Sequence, residues 1–437
     1  PGGISEYVMK KNVVVASGDL PDLIYSTATD MVKWAEDELI FPLDDLIEKH
    51  VPHWNKVEEH DAAKYGTYKG KQYLYVMPAN TLQNGIHVFI RQDWLDNLNL
   101  NMPTNTEELF KVLKAFTFDD PDGNGKDDTF GMSGAKNFEM MDQCMFPFGV
   151  SDNPRLGVFW TRVNGKLVPD IIRPEMKNAL AYIKMLYSEG VIEKESVVQN
   201  FEKYWQKVRS GKFGVVDFYA NGIINVANPA FKKQDPSISY RIIDPPIKGP
   251  DGHQGCPVRP SAQSMWAVPV TCKNPEMTAK LVDWYLEEGI QKVYKGEIEG
   301  KHYREISGYI EEVGRAEDPD FWRNSYSLSS GNCRKNMLPT NETIKMWETF
   351  VEKGLTTMDY VTNIELGQKY GVENEYIIPS AVEVEKMGDL RTYYNELKMN
   401  IVLGNEPIDE FDKWVDYFYE NGGKEIIEDV NRLNPPQ

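Results

Sequence analysis

Nine consecutive residues, Asp120-Pro121-Asp122-Gly123-Asn124-Gly125-Lys126-Asp127-Asp128, carry the pattern with the most specific chemistry in the chain. Side-chain oxygens at loop positions 1, 3 and 5, glycine at 6, a main-chain carbonyl at 7 and aspartate at 9 match the first nine positions of an EF-hand-like calcium loop. Calcium is a hard cation that takes about six to eight oxygens at ~2.4 Å. Alternate side chains on a tight turn converge on one point, and Gly125 permits the sharp backbone turn. Gly131 stands where an EF-hand carries its bidentate glutamate, and Thr129-Phe130-Gly131-Met132 reads as a strand rather than a helix. The expectation is a structural calcium clip between a helix and a strand. The alternative is a solvated acidic turn, against which the run of matches weighs. Magnesium prefers fewer protein ligands in a rigid octahedron.

Nothing else in the chain carries comparable chemistry. There is no G-x-S-x-G, H-E-x-x-H or Walker loop, and no G-x-G-x-x-G after a strand. The six histidines, His50, His53, His60, His87, His253 and His302, show no metal spacing. The four cysteines, Cys144, Cys256, Cys272 and Cys333, form no C-x-x-C pair and are too few for a disulfide framework. They are expected as buried thiols, with a Cys256–Cys272 bridge as the alternative. A glycoside hydrolase would need a pair of carboxylates, but among 67 acidic residues such pairs arise anywhere. The residues alone support an α/β protein with a calcium loop and no catalytic motif. A net charge of −19 argues against nucleic acid, whose backbone calls for a clustered positive surface. No apolar run approaches the roughly 18 residues that span a bilayer.

The elements that must position any site alternate short strands with amphipathic helices, which indicates an α/β protein. Val13-Val14-Val15 and Asp22-Leu23-Ile24-Tyr25 read as short buried segments. A helix over about 104–116 is signalled by Thr104 and Glu107 at capping-box spacing and by Leu109, Val112, Leu113 and Phe116 on one face. Asn274-Pro275 starts another helix, with Met277, Leu281, Val282 and Tyr285 as its inner face. Phe411, Trp414, Val415 and Phe418 make a further core stripe. The stretch from Asp244 to Pro260 is a loop or connection. Pro1-Gly2-Gly3-Ile4 carries no signal-peptide features, and residues upstream are expected to be missing.

Four stretches together carry a resemblance. They are Ala16-Ser17-Gly18-Asp19-Leu20-Pro21-Asp22-Leu23-Ile24; Val88 to Asp96 followed by Pro103-Thr104; the calcium loop running into Thr129-Phe130-Gly131; and Ile401-Val402-Leu403-Gly404 followed by Phe411 to Val415 and Gly422-Gly423. In order and spacing the chain resembles the family 1 extracellular solute-binding proteins of bacterial ABC importers, in the calcium-bearing subgroup similar to alginate-oligosaccharide-binding proteins. The resemblance implies a type-II periplasmic-binding-protein fold, with two discontinuous α/β lobes, a hinge and an interlobe cleft. Lobes of 1–131 with 261–330, and 132–260 with 331–437, are expected. Structural Ca2+ would be held by Asp120, Asp122, Asn124, the Lys126 carbonyl and Asp128. Thr129 stands where alginate-type members have glutamate, which leaves the last ligand to water or to a second Asp128 oxygen. The function implied is capture of a carbohydrate, expected to be an oligosaccharide, by lobe closure, and delivery to ABC permease transmembrane subunits. The protein would act as an extracellular monomer, lipid-anchored or periplasmic. The resemblance implies no enzyme; a secreted carbohydrate-active enzyme (a glycoside hydrolase), or a sensor-docking role on the same fold, is the alternative.

Sugars offer flat CH faces ringed by hydroxyls, so their sites pair aromatic plates with hydrogen-bonding side chains. Loops at strand ends are the places to look. On that basis Tyr25, Asn80, Asn84, Asp217, Tyr219, Asn221, Arg259, Trp266, Trp322 and Arg334 are the ligand candidates. Trp94 and Trp414 sit on periodic stripes and read as core. Arg91 reads as an internal ion-pair partner.

Overall fold

The computed structural model describes residues 4–78, 82, 86–139, 141–152, 159–228, 238–258, 261–289, 303–312 and 340–436. The chain divides into two compact units. The first is Pro1–Asn80, Ser261–Leu338 and Ile377–Val384, and the second is Thr81–Pro260, Pro339–Tyr376 and Glu385–Gln437.

The first unit contains a three-stranded antiparallel sheet in the order Ile24–Ser26, Ala262–Ala267, Leu74–Pro78. Its register aligns Tyr25 with Trp266 and Trp266 with Tyr75, an aromatic row across the strands. Helix Ala28–Glu36 leaves the first strand through a capping box, in which Thr27 accepts from the Asp30 amide while the Asp30 carboxylate takes the Thr27 amide. Helix Pro275–Trp284 packs on helix Asp44–His50.

The second unit contains a four-stranded sheet in the order Tyr240–Ile242, Ile86–Arg91, Phe213–Tyr219, Phe130–Met132. The Phe213–Tyr219 strand pairs antiparallel with Ile86–Arg91 and parallel with Phe130–Met132. Helix Thr106–Phe118 lies on this sheet at close range. A Cβ at Gly214 would come within 2.1 Å of the Phe116 ring, and one at Gly131 within 2.6 Å of the Leu113 carbonyl oxygen. Glycine is what lets helix and strands approach this far.

These pairings correct the expected lobe boundary near residue 131. Strand Ile86–Arg91 belongs with Phe213–Tyr219, so residues 81–131 and the calcium loop fall in the second unit and the first break lies at residue 80. A boundary of this kind depends on non-local pairing, which a period-two pattern does not reveal. The second break lies between residues 260 and 261, and the third, expected near 331, falls outside the described residues.

Local expectations differ in three places. The three valines lie within helix Ile4–Ser17, where Val13 is 69% exposed, rather than in a buried segment. The 106–118 helix is capped by Asn105, which accepts from the Glu107 and Glu108 amides, while Thr104 bonds the Glu108 carboxylate. On helix Pro275–Trp284 the buried residues are Thr278, Ala279 and Val282, and Met277 and Leu281 face solvent. Trp94 and Trp414 are fully buried, the latter donating to the Ile171 carbonyl at 2.8 Å. Arg91 is an internal partner: its guanidinium pairs with Asp93, donates to the Gly211 carbonyl at 2.8 Å and lies over the Trp94 ring. Cys144, Cys256 and Cys272 are thiols, and Cys256 and Cys272 form no bridge with each other.

Candidate functional site

The two central strands of the second unit are buried over nearly their whole length. In such a run a charged residue is exceptional, and Asp217, fully buried and paired in register with Val88, is one. It lines a pocket lying wholly within this unit. Ile86, His87 and Val88 form one wall. Gln143, Phe146 and Pro147 form a second, and the chain from Ile243 to Ile247 with Gly255 to Pro257 forms a third. The third wall is tied down by a short parallel pairing of Cys256–Pro257 with Gly371–Val372. The pocket encloses about 410 Å³, open solvent included.

Two polar side chains on these walls have unused hydrogen-bonding capacity. Gln143 is 1% exposed, and neither its amide nitrogen nor its oxygen has a partner. His87 is buried, with Nε2 unpartnered. Burial holds the His87 imidazole down at about 4, against the opposing effect of its hydrogen bonds with Asn363, so the ring is neutral at pH 7. A buried polar group left unsatisfied costs about 1–3 kcal/mol. The arrangement can therefore offer a hydroxyl-bearing group both a donor and an acceptor from Gln143.

Of the residues expected to bind ligand, Asp217 and Tyr219 share one strand, and Asn221 follows on helix Ala220–Gly222. Tyr219 meets Phe218 edge-on at 5.5 Å, and Phe218 in turn stacks on Trp205 at 4.2 Å. Tyr25 and Trp266 meet edge to face at 5.6 Å in the first unit, with Tyr25 36% exposed. Asn80, Asn84, Arg259, Trp322 and Arg334 lie outside the described residues. Sequence reasoning missed Gln143 and His87. The available signal was the polar pair Asp142-Gln143 inside the otherwise apolar run Met140 to Phe148, and a histidine within Ile86–Ile90.

The acidic loop turns at positive φ on Asp120, Gly123 and Gly125. Its side chains converge on Asn124. The Asn124 amide nitrogen Nδ2 donates to Asp122 at 2.8 Å and to Asp128 at 3.2 Å, while Asp120 accepts from the Asn124 and Gly125 backbone. Lys212 bonds the second oxygen of Asp128 at 2.5 Å. That contact first, then the Asn124 amide, holds the Asp128 carboxyl below its ordinary range. Burial, with the charge of Asp128 adding to it, raises Asp122. Thr129 is turned inward and donates to the Phe116 carbonyl at 2.9 Å, which removes it from the donor set. Among the described residues no group of three or more His, Cys, Asp or Glu is gathered as a metal site. The donor set of three carboxylates, a side-chain amide oxygen and a backbone carbonyl fits calcium's preference for oxygen.

Comparison with known proteins gives a consistent picture. The family model for bacterial extracellular solute-binding proteins matches residues 1–296. The polygalacturonan/rhamnogalacturonan-binding protein YtcQ of Bacillus subtilis (strain 168) is 28% identical over 431 residues, covering 96% of this chain and 81% of that one. The alginate-binding protein AlgQ2, in its structure without calcium ion, superposes with TM-score 0.73 at 20% identity, over 98% of this chain and 88% of that one. The EF-hand mutant of the ABC-transporter substrate-binding protein FusA from S. pneumoniae, in complex with fructo-nystose, gives TM-score 0.71 at 21% identity, over 98% and 90%.

Proposed function

The chain belongs to the bacterial extracellular solute-binding proteins, and from that premise we propose that it is the carbohydrate-capturing component of an ABC importer. The observation that carries this reading is likeness over nearly the full length to a polygalacturonan/rhamnogalacturonan-binding protein, joined to a pocket whose buried amide side chain lacks a partner. Capture precedes delivery to the permease subunits, with lobe closure as the capture step and no turnover of the sugar. The protein works as a monomer on the outer side of the cytoplasmic membrane, lipid-anchored or periplasmic.

Calcium belongs to the same proposal. Asp120, Asp122, Asn124, the Lys126 carbonyl and Asp128 would hold it. When bound it supplies positive charge that fixes the loop between helix Thr106–Phe118 and strand Phe130–Met132. The likenesses to AlgQ2 without calcium ion and to an EF-hand mutant support this reading.

The test is isothermal titration of the whole chain against a panel of neutral and uronic oligosaccharides, with each mixture then resolved by chromatography. Saturable binding with unchanged sugar is expected. No binding across the panel overturns the carbohydrate reading, and shortened products overturn capture without chemistry.

A further inference from the structure

The polar lining of the second unit's pocket reaches past the class of ligand to the group that is read. Resting on the carbohydrate reading above, we infer that Gln143 is a specificity-determining residue whose side-chain amide binds two hydroxyls on adjacent ring carbons of the sugar at once.

The other buried amides of the chain show what Gln143 lacks. Gln72 donates to the Leu74 carbonyl at 2.7 Å and accepts from Thr67 at 2.9 Å. Gln199 donates to Ser133, to the Gly134 carbonyl and to Glu193. Asn228 clasps the backbone of Tyr240 through both of its amide atoms. Among the described residues Gln143 alone is a buried amide with both atoms unpartnered, and of these four it is the one that lines the pocket. Its place is fixed by its surroundings. Helix Asp142–Met145 packs against strands Ile86–Arg91 and Phe213–Tyr219. The next residue, Cys144, is buried with its Sγ 3.7 Å from the Met132 Sδ. His87 lines the same walls, but its Nε2 is itself unpartnered, so it does not satisfy the amide. The planar amide presents a donor and an acceptor side by side. A single hydroxyl in good geometry meets one of them and leaves the other bare, a buried unsatisfied group. Two gauche hydroxyls on neighbouring carbons match the pair: one accepts from Nε2 while the other donates to Oε1. The apolar walls, Val88, Phe146 and Ile247 among them, suit the CH surface beside those hydroxyls. A sugar lacking either hydroxyl leaves a buried amide atom unpaired, the condition under which sites discriminate most strongly.

The experiment uses the full chain and the tightest binder among oligogalacturonides, their carboxyl-reduced neutral counterparts and fructo-oligosaccharides, together with derivatives of that sugar each deoxygenated at one ring position. Calorimetric titration of the wild type at pH 7 is expected to show a loss of at least tenfold for deoxygenation at each of two adjacent positions. In Gln143→Met, close in shape but without the amide, affinity for the parent sugar should fall at least tenfold. The penalties at those two positions should vanish in this variant, while penalties elsewhere on the sugar persist. Such position-specific loss of coupling is what a merely structural role would not produce. Full affinity in Gln143→Met, or deoxygenation penalties unchanged in it, overturns the inference and leaves the carbohydrate reading standing. So does a wild-type series in which no two adjacent positions matter, a result that needs no variant should Gln143→Met fail to fold. No binding by any sugar overturns both.

Discussion

Lowering the pH from 7 to 5 should destabilise the second unit through one residue. His87 sits near the start of the buried strand Ile86–Arg91, and burial depresses its ring from the ordinary 6.5 to about 4. The folded state therefore keeps the ring neutral where the unfolded chain protonates it. The unfolded state binds more protons between those two values, so stability is lost as pH falls below about 6.5 and the loss levels off below about 4. Linkage with these two values gives a loss of roughly 2 kcal/mol between pH 7 and pH 5, and about 3 kcal/mol in full. For a unit of this size that corresponds to a melting-point drop of roughly 4 °C. Calorimetric unfolding of the wild type and of His87→Gln at both pH values isolates the contribution, because other titrating groups are common to both. The wild type should lose the extra amount and the variant should not. Equal losses, or a His87 ring that titrates near 6.5 by NMR in the folded protein, would refute the reasoning.

Other outcomes follow from the loop and the helix contact. Chelation should lower the melting temperature while leaving the fold intact at room temperature; calcium at one hundred times its dissociation constant stabilises by about 2.7 kcal/mol. Asp122→Ala should abolish that response, and a calcium response undiminished in Asp122→Ala would remove the loop from the metal site. Because burial raises the Asp122 carboxyl, protons should begin to displace the cation at a higher pH than an ordinary aspartate would allow, which calcium titrations at pH 7 and pH 5 would measure. Gly214→Ala puts a methyl within 2.1 Å of Phe116 and should cost about 1–3 kcal/mol in urea unfolding, with Phe116→Leu restoring part of the loss.

Much of the fold was legible where it rests on local chemistry. The stripe Phe411, Trp414, Phe418 is buried, and a strand runs from Phe130 to Met132 directly after the acidic loop. Errors occurred where packing outside the segment decides the outcome. Met277 and Leu281 are apolar and helically spaced, yet the helix presents Thr278, Ala279 and Val282 inward, because small residues allow the closer approach to its neighbour. The break at residue 80 was invisible for a related reason. What assigns 86–91 to the second unit is its ladder with a strand more than a hundred residues away.

The site divides along the same line. A metal loop is local: its donors sit within nine residues, so spacing alone makes it readable. A pocket is assembled from segments separated in sequence, and each contributes residues whose types are ordinary. Asp217, which lines the pocket, was singled out because it stands near a strand end beside an aromatic residue. Gln143 was not, because glutamine in a short helix is unremarkable until the fold buries it without a partner. Buried, unpartnered polarity is a property of the assembled fold, and no single segment announces it. Of the ten sequence-based candidates four, Tyr25, Tyr219, Trp266 and Trp322, are aromatic, a residue type that is common in strands and cores and so says little by itself from sequence.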